Sequence, residues 1–147
     1  EEIYLPDTVT SLGSSVFSQN TALTKYRLPS GITKIPNSTF SRCSALKEAD
    51  IDSNITEIGT NAFAYCTELK AVTGGENVQI VGSRAFECCT KLPSATFENV
   101  ETIDFGAFYE CSALKEITVG KKLTKIVNNA FYGCTSLATV TYPGTLA

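Results

Sequence analysis

The chain has no histidine, no methionine and no tryptophan among its 147 residues. Without histidine, Ser-His-Asp and Cys-His catalytic arrangements are excluded in their usual form. Zinc sites lose a common nitrogen ligand as well. No apolar run approaches the roughly 20 residues of a membrane helix. Basic runs are missing too, and Lys121–Lys122 is the only adjacent basic pair. With a net charge of −3, this argues against nucleic acid, whose phosphates call for a basic stripe. Gly74-Gly75 lies in a turn and lacks the Gly-x-x-x-x-Gly-Lys spacing of a phosphate loop. Disorder is excluded by a hydrophobic content of 43%, enough for a core.

What is present is a repeat. Phe17, Phe40, Phe63, Phe86, Phe108 and Phe131 are spaced by 23, 23, 23, 22 and 23 residues. Three positions after each stands Asn20, Cys43, Cys66, Cys89, Cys111 or Cys134, and six after each a leucine, Leu23 to Leu137. A fixed period of this size predicts a solenoid, in which each unit buries its apolar face only by stacking on the next. The expectation is one domain over residues 1–147 with six Phe-centred repeats. The chain opens at Glu1-Glu2-Ile3-Tyr4, already inside a strand segment, so it reads as a piece of a longer protein.

Aliphatic pairs precede each Phe by eight and five positions, from Val9/Leu12 to Leu123/Ile126. Nine and eleven positions after it, apolar residues alternate with polar ones, as in Tyr26/Leu28 and Ile117/Val119. That alternation predicts half-buried strands. Counting Ile3/Leu5, there are about seven, forming a parallel sheet roughly 29 Å long at about 4.8 Å per step. Val72 followed by Gly74 breaks the pattern once. Gly-Ser or Gly-Thr-Asn before Ala-Phe is helix-start chemistry and predicts short helical turns opposite the sheet. The single 22-residue repeat has lost its residue in the turn Phe97-Glu98-Asn99-Val100, where a deletion leaves the inward ladder in register.

The run Leu114-Lys115-Glu116-Ile117-Thr118-Val119, Leu123-Thr124-Lys125-Ile126, Ala130-Phe131-Tyr132-Gly133-Cys134-Thr135-Ser136-Leu137 resembles the BspA-type leucine-rich repeat. The likeness covers essentially the whole chain. Asn20 departs from it at the first cysteine position, Asp104 and Val127 at a glycine position, and Pro36 interrupts one unit. The resemblance implies an α/β leucine-rich-repeat solenoid from a secreted or cell-surface protein of host-associated microbes. It also implies adhesion, by binding a host matrix or surface protein.

Six cysteines in such a chain raise the question of disulfides. Neighbouring ladder positions would place Cα atoms about 4.8 Å apart, but in-register Cβ atoms stay as far apart, beyond the usual Cβ separation of about 3.8 Å. The five ladder cysteines are therefore read as free buried thiols, with Asn20 serving turn backbone groups in their place. A linear ladder is also the wrong shape for zinc. Cys88 falls at an outward position, and its alternatives are a plain free thiol, a vicinal bond with Cys89 or an intermolecular disulfide. Glu48, Asp50 and Asp52 share one strand face, short of the six to eight oxygens calcium takes. Lys25 and Arg27 on the adjacent strand are their expected cross-strand partners. No catalytic site, metal or cofactor is implied.

Outward strand positions form one continuous surface, and the candidate partner-binding residues are Tyr4, Lys25, Arg27, Glu48, Asp50, Thr73, Thr96, Thr118 and Thr141. The reading is a non-catalytic interaction module with a protein partner, or a glycan. The rival readings are a structural spacer and an accessory arm of a larger enzyme. Tyr65, Tyr109 and Tyr132, on the side of the Phe residues, are candidates for a second patch or ordinary convex surface. Neither end carries a polar cap, so apolar edges at Ile3/Leu5 and Val140/Tyr142 are expected to favour end-to-end self-association.

Overall fold

The computed structural model describes residues 1–143, so the last four positions of the expected domain lie outside the described residues. Twelve short strands follow one another: β1 (Glu2–Tyr4), β2 (Lys25–Arg27), β3 (Lys34–Ile35), β4 (Glu48–Ile51), β5 (Glu57–Ile58), β6 (Ala71–Gly74), β7 (Ile80–Val81), β8 (Ser94–Phe97), β9 (Thr102–Ile103), β10 (Glu116–Val119), β11 (Lys125–Ile126) and β12 (Thr139–Thr141). They stack as a parallel solenoid with three sides. β1 and the even-numbered strands form the side read from the alternation. The odd strands β3 to β11 form a second, five-stranded parallel sheet. This second sheet is built on the aliphatic residues five positions before Phe: Ile35, Ile58, Val81, Ile103 and Ile126.

The register follows the repeat. Glu57 pairs with Lys34 and Ile80, and Ile80 pairs with Thr102, one residue sooner. On the other side Ser94 pairs with Glu116. The deletion is thus absorbed in the turn closed by Val100 N–H onto the Phe97 carbonyl at 3.4 Å, and both ladders stay in step.

The seven-strand side is hydrogen-bonded in three pieces, β1–β2, β4–β6 and β8–β10–β12. An aromatic ring stands at each break. Tyr26 is buried where later coils carry Ala49 or Ala95. Its ring stacks on Phe40 at 4.1 Å, and its hydroxyl donates to the Asp50 carbonyl of β4 at 3.0 Å. At the second break Phe97 lies over Gly75, where an added Cβ would come within 3.2 Å of the ring. The irregular Val72-x-Gly74 unit has its own cause: Gly74 takes a positive φ of 70°, and a Cβ there would lie 2.1 Å from the Ile51 carbonyl oxygen of the preceding coil.

The expected helical turns are absent: the described residues contain no helix. The reason lies in where the N–H groups go. Ser15, Phe17 and Gln19 donate to carbonyls of the next coil, Asn37, Thr39 and Ser41, at 2.8–3.0 Å. The intervening Ser18 and Asn20 close tight turns onto Ser15 and Phe17. A helix would direct each of these groups to its own segment, four residues back. Positions two before and two after Phe also take left-handed φ, as at Asn61 (55°) and Tyr65 (61°), which interrupts a right-handed helix. Bonds to both neighbouring coils hold those conformations in place.

Inside, the six Phe rings stack with centroids 5.3–5.6 Å apart. Beside them each ladder thiol donates to the Phe carbonyl of the preceding coil: Cys43 to Phe17, Cys66 to Phe40, Cys89 to Phe63, Cys111 to Phe86 and Cys134 to Phe108, at 3.0–3.2 Å. At the same repeat position the Asn20 amide donates to its own Phe17 carbonyl at 2.9 Å. All six cysteines are free, Cys88 included.

Gly120 shows how tightly the shortened repeat is drawn in. A Cβ there would lie 1.5 Å from the Glu98 carbonyl oxygen, whereas one at Gly31 would meet nothing within 4 Å. Gly120→Ala is expected to lower unfolding free energy by about 1–3 kcal/mol or more through backbone displacement. Gly31→Ala, in open space and without positive φ, should be neutral or raise it by about 0.4–1 kcal/mol. Urea titration of the two variants checks this, and equal midpoints would refute the close approach.

Candidate functional site

Strand geometry decides which side chains can meet a partner. Alternation turns Ile3, Tyr26, Ala49, Val72, Ala95, Ile117 and Val140 toward the stack, and leaves their neighbours outside. All nine candidate residues fall outside: Thr118 is half-buried, and Tyr4, Lys25, Arg27, Glu48, Asp50, Thr73, Thr96 and Thr141 are exposed. The pairing puts Tyr4 beside Arg27, Asp50 beside Thr73, Thr96 beside Thr118 and Thr118 beside Thr141. The nine therefore belong to one surface. The breaks at β2/β4 and β6/β8 divide it into three fields.

In the first field the Tyr4 hydroxyl donates to the Glu2 carboxylate at 2.6 Å, and this bond holds the phenol above its ordinary range. In the second, Thr73 donates to Glu48 at 3.0 Å and lies 3.4 Å from Asp50. In the third, Thr141 donates to Glu116 at 3.0 Å. Thr73 and Thr141 thus serve as donors to carboxylates one coil back as well as strand formers.

The expected cross-strand ion pairs do not form. Among the described residues no ion pair within 4.0 Å joins Lys25 or Arg27 to Glu48, Asp50 or Asp52; Arg27 instead reaches back to Asp7 at 3.8 Å. The reason is the break in the sheet, which separates β2 from β4. Asp52 has its carboxyl raised, chiefly by partial burial and next by the Asp50 charge, with Arg27 acting the other way. Rows of opposite sign therefore face solvent side by side without neutralising each other by contact.

The break also makes a cleft of about 150 Å³, lined by Lys25, Tyr26, Glu48 and Asp50. Sequence reasoning placed three of these on the surface but missed Tyr26 as the floor. The signal was available: a tyrosine stands where the other coils carry small or aliphatic residues. Among the described residues, no three His, Cys, Asp or Glu side chains converge as metal ligands would. Among the same residues, no helix is long and apolar enough to cross a membrane.

At the ends, Ile3 and Leu5 are only partly buried, while Val140 and Tyr142 are 56% and 48% exposed. The tyrosines on the Phe side form no single cluster. Tyr109 and Tyr132 stack at 4.9 Å, whereas Tyr65 lies apart beneath the Arg42 guanidinium.

The model of the BspA type leucine rich repeat region matches in six copies, over residues 1–92 and 33–147. Among solved structures, a leucine rich cell surface protein from Faecalibacterium prausnitzii aligns with 99% of this chain and 48% of its own, at 24% identity and TM-score 0.76. A leucine-rich repeat protein from Eubacterium ventriosum aligns with 90% of this chain and 42% of its own, at 27% identity and TM-score 0.68. A leucine rich repeat protein from T. pallidum covers 95% and 57%, at 19% identity and TM-score 0.60. The chain therefore spans about half the length of the solved proteins it resembles. No curated protein matches it.

Proposed function

The chain belongs to the BspA-type leucine-rich-repeat family, and on that footing we propose that it is a non-catalytic recognition module of a secreted or cell-surface protein, binding a protein partner through its strand face. The observation that carries this reading is the charge arrangement at β2 and β4. Lys25 and Arg27 stand beside Glu48 and Asp50 on a rigid surface, and contact pairs between the two rows are lacking. Such rows are available to a partner carrying the opposite pattern, and charge complementarity of this kind sets specificity and encounter rate. Repeat solenoids present extended surfaces of this sort.

The test is binding of the 147-residue chain to a panel of matrix and surface proteins. Beside it runs a variant with Arg27, Asp50, Thr73 and Thr96 all changed to Ala. The expected result is a partner whose affinity falls at least tenfold in the variant, with the steepest salt dependence in the wild type. Equal binding by both proteins would remove the strand face from consideration. If deleting whole repeats changes attachment only through length, the module is a spacer.

A further inference from the structure

A second surface lies on the helix-free side of the solenoid, away from the strand face. Gln19, Arg42 and Tyr65 stand two positions after successive Phe residues, with φ of 64°, 62° and 61°. Sharing one backbone conformation, the three side chains leave the stack in parallel, one coil apart. Two residues further on stand Thr21, Ser44 and Thr67. Together these six line a groove of about 360 Å³ running along the stack. Some hydroxyls of this chain are tied to carbonyls, as Thr24 is to Glu1 and Thr56 to Thr33; among the described residues the three in the groove have no such bond and are free to meet a ligand.

Charge is distributed unevenly along this side. Arg42 lies 4.6 Å above the Tyr65 ring, and among the described residues no carboxylate comes within 4.0 Å of it. The ring contact restrains the guanidinium on one side, and the side chain is otherwise exposed, with its N–H groups available. Lys47 and Lys70 lie on neighbouring turns. The nearby Glu68 is engaged by Lys91 at 2.5 Å, and its carboxyl is held below the ordinary range by Lys91 first, then by Lys70 and Lys47. At the position of Arg42 the later coils carry Cys88, Glu110 and Gly133, and the Glu87 charge is felt at Tyr65, so the one cation of this row stands on the second coil.

We infer that this groove binds a linear, carboxylate-bearing polysaccharide laid along the stack, its carboxylate on Arg42 and its hydroxyls on Thr21, Ser44 and Thr67. An arginine resting over a ring offers two parallel N–H donors, the geometry that matches a carboxylate. Fixing it in advance lowers the ordering cost of binding. The hydroxyls recur at about 4.8 Å from coil to coil, which suits an extended ligand with donors and acceptors at regular intervals. An acidic peptide satisfies the cation but leaves most of the hydroxyl row unused.

The probes are a galacturonic acid trisaccharide, the neutral galactose trisaccharide and penta-glutamate, titrated calorimetrically into the 147-residue chain. The acidic sugar should bind, and the other two should bind at least tenfold more weakly. Arg42→Gln should weaken the acidic sugar at least tenfold, with Arg42→Lys between. Circular dichroism and thermal midpoint should be unchanged, because the side chain is exposed. The four-alanine strand-face variant should bind the sugar like the wild type. The inference is overturned by no binding of the acidic sugar, by full affinity in Arg42→Gln, by equal affinity for penta-glutamate, or by loss in the strand-face variant alone.

Discussion

Phe63→Ala should lower the unfolding free energy by about 3–5 kcal/mol, and the thermal midpoint by roughly 6–20 °C. The ring is fully buried. It stacks on Phe40 and Phe86 at 5.3 Å on either side and lies 6.2 Å from Tyr26. Truncation removes contacts with both neighbouring coils and leaves a cavity that the backbone bonds around it keep from collapsing. Phe63 N–H donates to Ala85 at 2.7 Å, and Phe40 N–H donates to Ala62 at 2.8 Å. The Phe63 carbonyl is the acceptor of the Cys89 thiol. Phe17→Ala should cost less than half as much, since Phe17 is half-buried and stacks on one ring at 5.6 Å. In a solenoid each coil meets only its neighbours, so position in the array scales the loss. Total stabilities of such domains are about 5–15 kcal/mol, so the central substitution should be visible in both urea and heat. Equal losses at the centre and the end would contradict nearest-neighbour stacking.

The second large effect concerns the thiols. In the native protein, Cys66, Cys89 and Cys111 should react with a thiol reagent at least about a thousandfold more slowly than in denaturant, because exposure requires global opening. Cys88 and Cys134, half-buried, should be modified first. Burial is the leading cause in every case. It pushes Cys43 and Cys134 up to about 11 and raises Cys66, Cys89 and Cys111 as well. Cys88 is also raised, by burial and then by the Glu87 and Glu110 charges, so exposure alone does not make it a reactive thiolate. The sign for stability follows. The unfolded chain ionises its thiols near the ordinary value of 9.0, while the folded chain holds Cys43 protonated to about 11. Stability is complete below pH 9 and should fall as pH rises from about 9 through 11. Six thiols reacting at once in the native state would sink the buried ladder. A mass two hydrogens low would instead reveal a Cys88–Cys89 bond.

The two end surfaces differ in a way that bears on handling the protein. Residues 1–24 carry Glu1, Glu2 and Asp7 and no Lys or Arg, while residues 117–143 carry Lys121, Lys122 and Lys125 and no Asp or Glu. With Val140 and Tyr142 exposed, this pattern suits the expected end-to-end contact.

Much of the architecture was legible in the chain because a solenoid makes its contacts one period apart. The Phe, Cys and Leu positions identify the core, the alternation identifies the outward strand residues, and the short turn at Phe97–Val100 accounts for the odd spacing. Asn20 could be assigned to turn backbone for the same reason. Helical turns were misread because Gly-Ser and Ala-Phe favour helix only when their N–H groups lack a better partner. Stacking supplies one in the next coil, and it holds Arg42 and Tyr65 in left-handed φ that local propensity would not choose. The ion pairs expected at β2 and β4 failed because the Tyr26 ring divides the sheet there. The groove of Arg42, Tyr65 and the hydroxyls crosses three coils, and no single repeat carries it.

By itself, then, the sequence determined the period, the core ladder and the outward face, since these rest on burial repeated every 22 or 23 residues. Only the tertiary structure decided the helix-free third side, the breaks in the strand face and the groove, because each depends on which backbone and side-chain groups of one coil meet those of the next.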